Sequence, residues 1–238
     1  GIDKMISMQK QNLYMQLHNI SAAQKEIENL LEQYPSDIKV MEILSEIYLL
    51  NDKKNQAIEL FERIAKLDPE NGRIHLTLAD HYRKEGSNEQ SYKELTLAFK
   101  SKKIDVDTKV RILISYMQLM ELSEQMKTQI FELCEILISV HKGNPKAHAI
   151  YADFLYADKQ IEAAKKQYLK VLDFDKTKAQ VWSQLLFILA DQNDFEELLE
   201  QSNDALLYFS TDPLFYYFNA IANQRFKNYD ETINALGI

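Results

Sequence analysis

Breakers of regular structure are scarce in this sequence, which has five glycines and four prolines among 238 residues. A chain so poor in both residues favours long helices joined by short connections. Cysteine is almost missing. The lone Cys134 excludes an internal disulfide and a zinc cluster built on cysteines, and it leaves the compartment open. No apolar run reaches the length of a bilayer span, so direct membrane insertion is not expected. The start, Gly1-Ile2-Asp3-Lys4, is no signal peptide; a first residue that is not Met points to a processed end, from which a targeting segment could have been removed. Positive charge is in deficit: 28 Lys and Arg against 36 Asp and Glu give a formal net charge of −8. Nucleic-acid affinity rests on clustered cations, and so does attraction to an anionic membrane surface; neither is the expected partner.

What is present is a large apolar fraction, 46%, enough for a substantial core, and a regular beat. Tyr14, Tyr48, Tyr82 and Tyr116 follow one another at intervals of 34 residues. Other positions keep the same phase. Ala23, Ile27 and Pro35 stand 9, 13 and 21 residues after Tyr14, as Ala57, Phe61 and Pro69 do after Tyr48. Asp52 and Gly86 lie four residues after their tyrosines. Within one period the apolar residues recur at helical spacing twice, as Met41, Leu44, Ile47 and Tyr48 and then as Ala57, Leu60, Phe61 and Ile64. Each period is therefore expected to hold two antiparallel helices. Ala57 lets them approach closely, and Pro69 marks the stop of the second.

The stretch Leu44-Ser45-x2-Tyr48…Ala57-x3-Phe61…Pro69 resembles the tetratricopeptide repeat, as do Leu78-Ala79-x2-Tyr82, Tyr151-Ala152-x2-Leu155…Ala164-x3-Tyr168 and Trp182-x2-Leu185-Leu186-x2-Leu189. The resemblance covers essentially the whole chain. It implies an all-α, right-handed solenoid of about seven helix-turn-helix repeats in a single array over 1–238, with repeats at 4–37, 38–71, 72–105, 106–144, 145–178, 179–212 and a truncated 213–238. The fourth repeat is 39 residues long, with Leu113, Ile114, Met117, Leu119 and Met120 in its first helix and a polar connection from Glu121 to Lys127. The last repeat ends at Leu236-Gly237-Ile238, inside its second helix, so the expectation is a fragment of a longer bacterial protein whose uncapped end permits self-association.

The resemblance also implies where a ligand would lie: on a concave face lined by positions 2, 5, 9, 12 and 13 of each first helix. In the second repeat these are Lys39, Glu42, Glu46, Leu49 and Leu50; in the third they are Arg73, Leu76, Asp80, Arg83 and Lys84. The later repeats place apolar residues there, and the candidate partner-binding residues are Ile114, Met117, Tyr156, Phe187, Tyr217 and Ile221, with Arg73, Arg83 and Lys84 from the charged half. The alternative is that these side chains pack within the stack, or against helices beyond this fragment. The family's carboxylate clamp is not expected: Asn12 holds a suitable position, but Met8 and Ile43 stand where Lys and Asn are required.

No catalytic, cofactor-binding or metal-binding residues are expected. The five histidines contain no pair at i, i+4; His81 with Glu85 reads as a helix face, and His148 stands at the repeat's Trp position, where packing accounts for it. The glycines form no phosphate loop, and Cys134 lies among Ile130, Phe131 and Leu137 as a core thiol. The expected function is a scaffold or adaptor that binds another protein or a peptide segment. The alternative is a regulatory or targeting region of a larger enzyme or cell-envelope assembly. A cytoplasmic and an exported location are both compatible with the sequence.

Overall fold

The computed structural model describes residues 3–117 and 123–237. Among them there are fourteen helices and no strand, in seven consecutive pairs: α1 Lys4–Gln16 with α2 Ile20–Gln33, α3 Ile38–Leu50 with α4 Lys54–Leu67, α5 Gly72–Lys84 with α6 Asn88–Lys100, α7 Val106–Tyr116 with α8 Glu124–Val140, α9 Pro145–Ala157 with α10 Ile161–Phe174, α11 Ala179–Asp191 with α12 Phe195–Tyr208, and α13 Pro213–Arg225 with α14 Tyr229–Leu236. This is an all-α helical repeat fold.

A recurring polar residue starts the first helices. Asp3, Asp37, Asn71, Asp105, Asn144 and Asp212 each sit at the N-cap, and each side chain accepts a hydrogen bond from a backbone N–H of the first turn. Such a cap satisfies donors the helix leaves orphaned and contributes about 1 kcal/mol. Only Lys178, before α11, makes no side-chain cap.

The turn inside six of the pairs is equally regular. His18, Asp52, Gly86, Lys159, Asn193 and Lys227 all have φ between 54° and 75° and all occupy the same place, two residues past their first helix. The next residue then bonds back across the turn: Asn19 N–H to Tyr14 O, Lys53 to Tyr48, Ser87 to Tyr82, Gln160 to Leu155, Asp194 to Leu189 and Asn228 to Asn223, at 2.8–3.0 Å. This is a Schellman closure, in which one left-handed residue satisfies the last carbonyls and reverses the chain in the shortest distance.

The helices gather into two compact units, one running to Ile104 and the other from Asp105. In the first, Ala23, Ile27 and Leu30 of α2 share a core with Val40, Met41 and Ile47 of α3, with Ala57 and Phe61 of α4 and with Leu78 of α5. The alanines at one equivalent position (Ala23, Ala57 and, in the second unit, Ala164) are fully buried. Ser91 takes that position in α6 and, at 6% exposure, donates its hydroxyl to Ala79 O at 2.7 Å. In the second unit the core joins Leu155, Tyr168, Trp182, Leu185, Leu198, Phe215 and Phe218. A ring at the fourth position of a first helix ties the preceding linker down. Trp182 Nε1 donates to Lys176 O at 2.8 Å, Tyr216 Oη donates to Ser210 O at 3.0 Å, and His75 Nε2 lies 3.0 Å from Pro69 O, each contact reaching six residues back. His148 holds the same position; it is buried, with Nδ1 2.8 Å from Gln167 Oε1 and its ring stacked on Phe174.

The fourth pair departs from the sequence expectation. The sequence predicts a polar connection over Glu121 to Lys127, but α8 already begins at Glu124, capped by Ser123, whose Oγ accepts from Met126 N–H at 3.1 Å. A capping serine followed by Glu124, Gln125, Met126 and Lys127, all good helix formers, starts a helix inside this polar stretch. The expected helical positions Leu119 and Met120, the connection residue Glu121, and Gln118, which the resemblance puts at position 13 of the fourth repeat, lie outside the described residues, as do Gly1 and Ile238.

Candidate functional site

Position along a first helix decides which side chains stay open. The third, fourth and eighth positions are buried against neighbouring helices, as Val40, Met41 and Ser45 show in α3 and Val181, Trp182 and Leu186 in α11. The fifth, ninth and twelfth fall on another face. In the second compact unit that face carries Ile114 at 55% exposure, Tyr156 at 38%, Phe187 at 45% and Tyr217 at 54%. Met117 is half-buried, and Ile221 is half-buried against the core cluster.

Two of these side chains share a floor. The Phe187 ring meets Phe218 edge-on at 4.9 Å, and the Tyr217 ring meets the same Phe218 at 5.7 Å. Phe218 is 2% exposed, so α11 and α13 present one aromatic patch with a rigid base. Ile114 and Met117 stand on and just beyond α7, which packs against α9, the helix that carries Tyr156.

Asp153 lies on this face, at the ninth position of α9. Its Oδ1 accepts a hydrogen bond from the buried Tyr168 hydroxyl at 2.8 Å. Desolvation raises its carboxyl above the ordinary range, against the opposing effect of that hydrogen bond. The sequence puts Asp153 at a ligand-facing position of the fifth repeat without singling it out among the candidates. The signal available was the lack of any cation three or four residues along, where Tyr156 and Ala157 stand.

The first compact unit offers a different surface. Arg73, Arg83 and Lys84 are exposed, but Arg83 Nη2 lies 2.8 Å from Asp80 Oδ1 and Lys84 Nζ lies 2.5 Å from Asp80 Oδ2. The Asp80 carboxyl is held low by Lys84 and then Arg83. Two of the three candidate cations are thus engaged by a carboxylate one helical turn away. Leu49 and Leu50 on α3 are also exposed, at 45% and 59%.

Among the described residues no group of His, Cys, Asp and Glu side chains is arranged to hold a metal ion, and no helix is long and apolar enough to cross a membrane. Cys134 is buried and unpaired, and desolvation, with Glu135 nearby, pushes its thiol upward.

No protein-family model and no curated protein matches this sequence. Solved structures do match by fold. The crystal structure of MamA protein aligns over 71% of this chain and 90% of its own, with a TM-score of 0.50 and 14% identity. The C-terminal part of a TPR repeat-containing protein from Cytophaga hutchinsonii aligns over 95% and 92%, with a TM-score of 0.52 and 11% identity. This is the tetratricopeptide-repeat fold. A third TPR-like match, in the structure of Naa15/Naa10 bound to HypK-THB, covers 97% of this chain at a TM-score of 0.58 and 12% identity, and this chain spans only 36% of that one.

Proposed function

We propose that this protein is a scaffold that holds a segment of another protein on the first-helix face of its second compact unit, and that it has no catalytic role of its own. The observation that carries this reading is the run of exposed large apolar side chains, Ile114, Tyr156, Phe187 and Tyr217, on successive first helices. Single exposed apolar residues are ordinary; a set repeated on adjoining helices, with Phe187 and Tyr217 seated on one buried ring, is what a contact surface needs. Aromatic residues on a rigid base make effective anchors because little side-chain freedom is lost on binding. Arg73, Arg83 and Lys84 lie on the first compact unit and are no part of this proposal; Asp80 already engages two of them. The TPR-fold match in the Naa15/Naa10 structure is captured with a bound protein, HypK-THB, which supports this type of use for the fold.

Selection of a random linear peptide library on the whole protein tests the proposal. Peptides that bind are expected to lose affinity by about tenfold or more against Tyr156→Ala, Phe187→Ala or Tyr217→Ala, the scale of a hot-spot truncation. Binding that all three variants leave unchanged removes the proposal.

A further inference from the structure

The repeat geometry allows one carboxylate to be compared with its counterpart. Asp80 and Asp153 hold the same ninth position, on α5 and α9. Asp80 is neutralised by its own helix, through Arg83 and Lys84. At the matching places Asp153 has Tyr156 and Ala157, which supply no charge. Lysines on α8, α9 and α10 pair with other carboxylates: Lys127 with Asp158, Lys146 with Asp107, and Lys165 with Glu197 and Asp194. Among the described residues Asp153 joins no ion pair, and its one side-chain hydrogen bond is the donation from Tyr168. A carboxylate accepts about four hydrogen bonds, so most of its capacity is unused.

We propose that this carboxylate is the counter-ion for a basic side chain of the bound segment, and that the segment presents a Lys or Arg between apolar residues. The inference rests on the proposed function and names the chemistry of its ligand. Along the ninth positions of the second unit the order is Ile114, Asp153, Phe187 and Ile221, an acid between apolar neighbours. The buried Tyr168 holds Oδ1, which fixes the carboxylate before any ligand arrives. The Asp153 side chain is exposed on this face, so a cation of the bound segment can reach its carboxylate. Tyr156, one helical turn along and exposed, offers a ring to the same cation. A free acid paired in this way gives more discrimination than Asp80 does, because no internal cation has to be displaced.

The test uses peptides selected on the whole protein, then resynthesised with each Lys or Arg replaced by norleucine. Selected sequences are expected to carry a basic residue flanked by apolar ones. Norleucine replacement, or Asp153→Asn in the protein, is expected to weaken binding by about tenfold, the scale of a lost charged hydrogen bond. Asn keeps an oxygen for the Tyr168 hydroxyl, and the norleucine arm leaves the protein untouched, so a folding defect does not obscure the result. Peptides that lose binding with Phe187→Ala but lack a basic residue and tolerate Asp153→Asn overturn this inference and leave the scaffold reading in place. An absence of any peptide sensitive to Phe187→Ala overturns both.

Discussion

Tyr82 of α5 donates its hydroxyl to Glu62 of α4 at 2.7 Å, and one repeat earlier Tyr48 of α3 donates to Glu28 of α2 at 2.9 Å. Two members of the 34-residue beat of tyrosines are therefore stitches, each joining a first helix to the second helix of the preceding pair. Desolvation and then the partner carboxylate raise both phenols to about 12. A phenol raised in the folded state keeps its proton after the unfolded chain, near pH 10, has lost it. Its contribution is complete below about pH 10 and fades as pH rises toward about 12. Tyr82→Phe and Tyr48→Phe are each expected to cost about 1 kcal/mol at neutral pH, and to flatten the alkaline loss of stability, as read from urea unfolding across that window.

Gly72, the first residue of α5, is set by space rather than by backbone angle. A Cβ there would stand 2.7 Å from Ile104 Cγ1 and 2.7 Å from Ser101 Cβ. Ser101 is also held, since its hydroxyl donates to Glu70 O at 3.0 Å. Gly72→Ala is expected to destabilise the first compact unit by about 1–3 kcal/mol, as overpacking does, despite the better helix propensity of alanine. A melting temperature equal to or above that of the parent protein would count against this packing.

Lys109 has no solvent exposure, and its Nζ lies 2.8 Å from His141 Nε2. Desolvation lowers its ammonium to about 8, with the Asp105 charge acting weakly the other way. Between about pH 8 and the ordinary lysine value near 10.4, the unfolded chain binds a proton that the folded chain does not, so stability rises with pH across that window. The gain is ~2–3 kcal/mol, and Lys109→Met is expected to abolish it. Denaturant titrations of both proteins near either end of the window measure the difference.

Trp182 is 1% exposed and closes its linker through the bond to Lys176 O. As the sole tryptophan, it makes fluorescence a report on the second compact unit. Trp182→Phe retains a ring but strands the carbonyl and leaves a gap, at an expected cost of about 2–4 kcal/mol. Far-ultraviolet circular dichroism follows this variant; a melting curve matching the parent's would show that the indole bond is dispensable.

The paired helices were legible because packing positions recur: Ala57, Phe61 and Tyr48 have to meet the same neighbours in each period. The capping ladder of Asp3, Asp37 and Asn71 keeps the same 34-residue spacing, but in a chain with 36 acidic residues it does not stand out. The fourth pair was less legible, since its insertion moves the start of α8 relative to the pattern. At the candidate site, helix position alone gave the exposed faces of Ile114, Tyr156, Phe187 and Tyr217. It did not separate Met117 and Ile221, whose half-burial depends on neighbouring helices. Arg83 and Lys84 read as open cations because residue type does not reveal that Asp80 reaches both.

Five of the six tight reversals place a side chain where only glycine is at ease: His18, Asp52, Lys159, Asn193 and Lys227, against Gly86 alone. Each such residue holds in reserve about 1 kcal/mol of strain, somewhat less for asparagine and aspartate. The protein thus keeps unspent thermal headroom, shared among these five turns. Replacing Lys159 and Lys227 with glycine is the shortest route to recovering it.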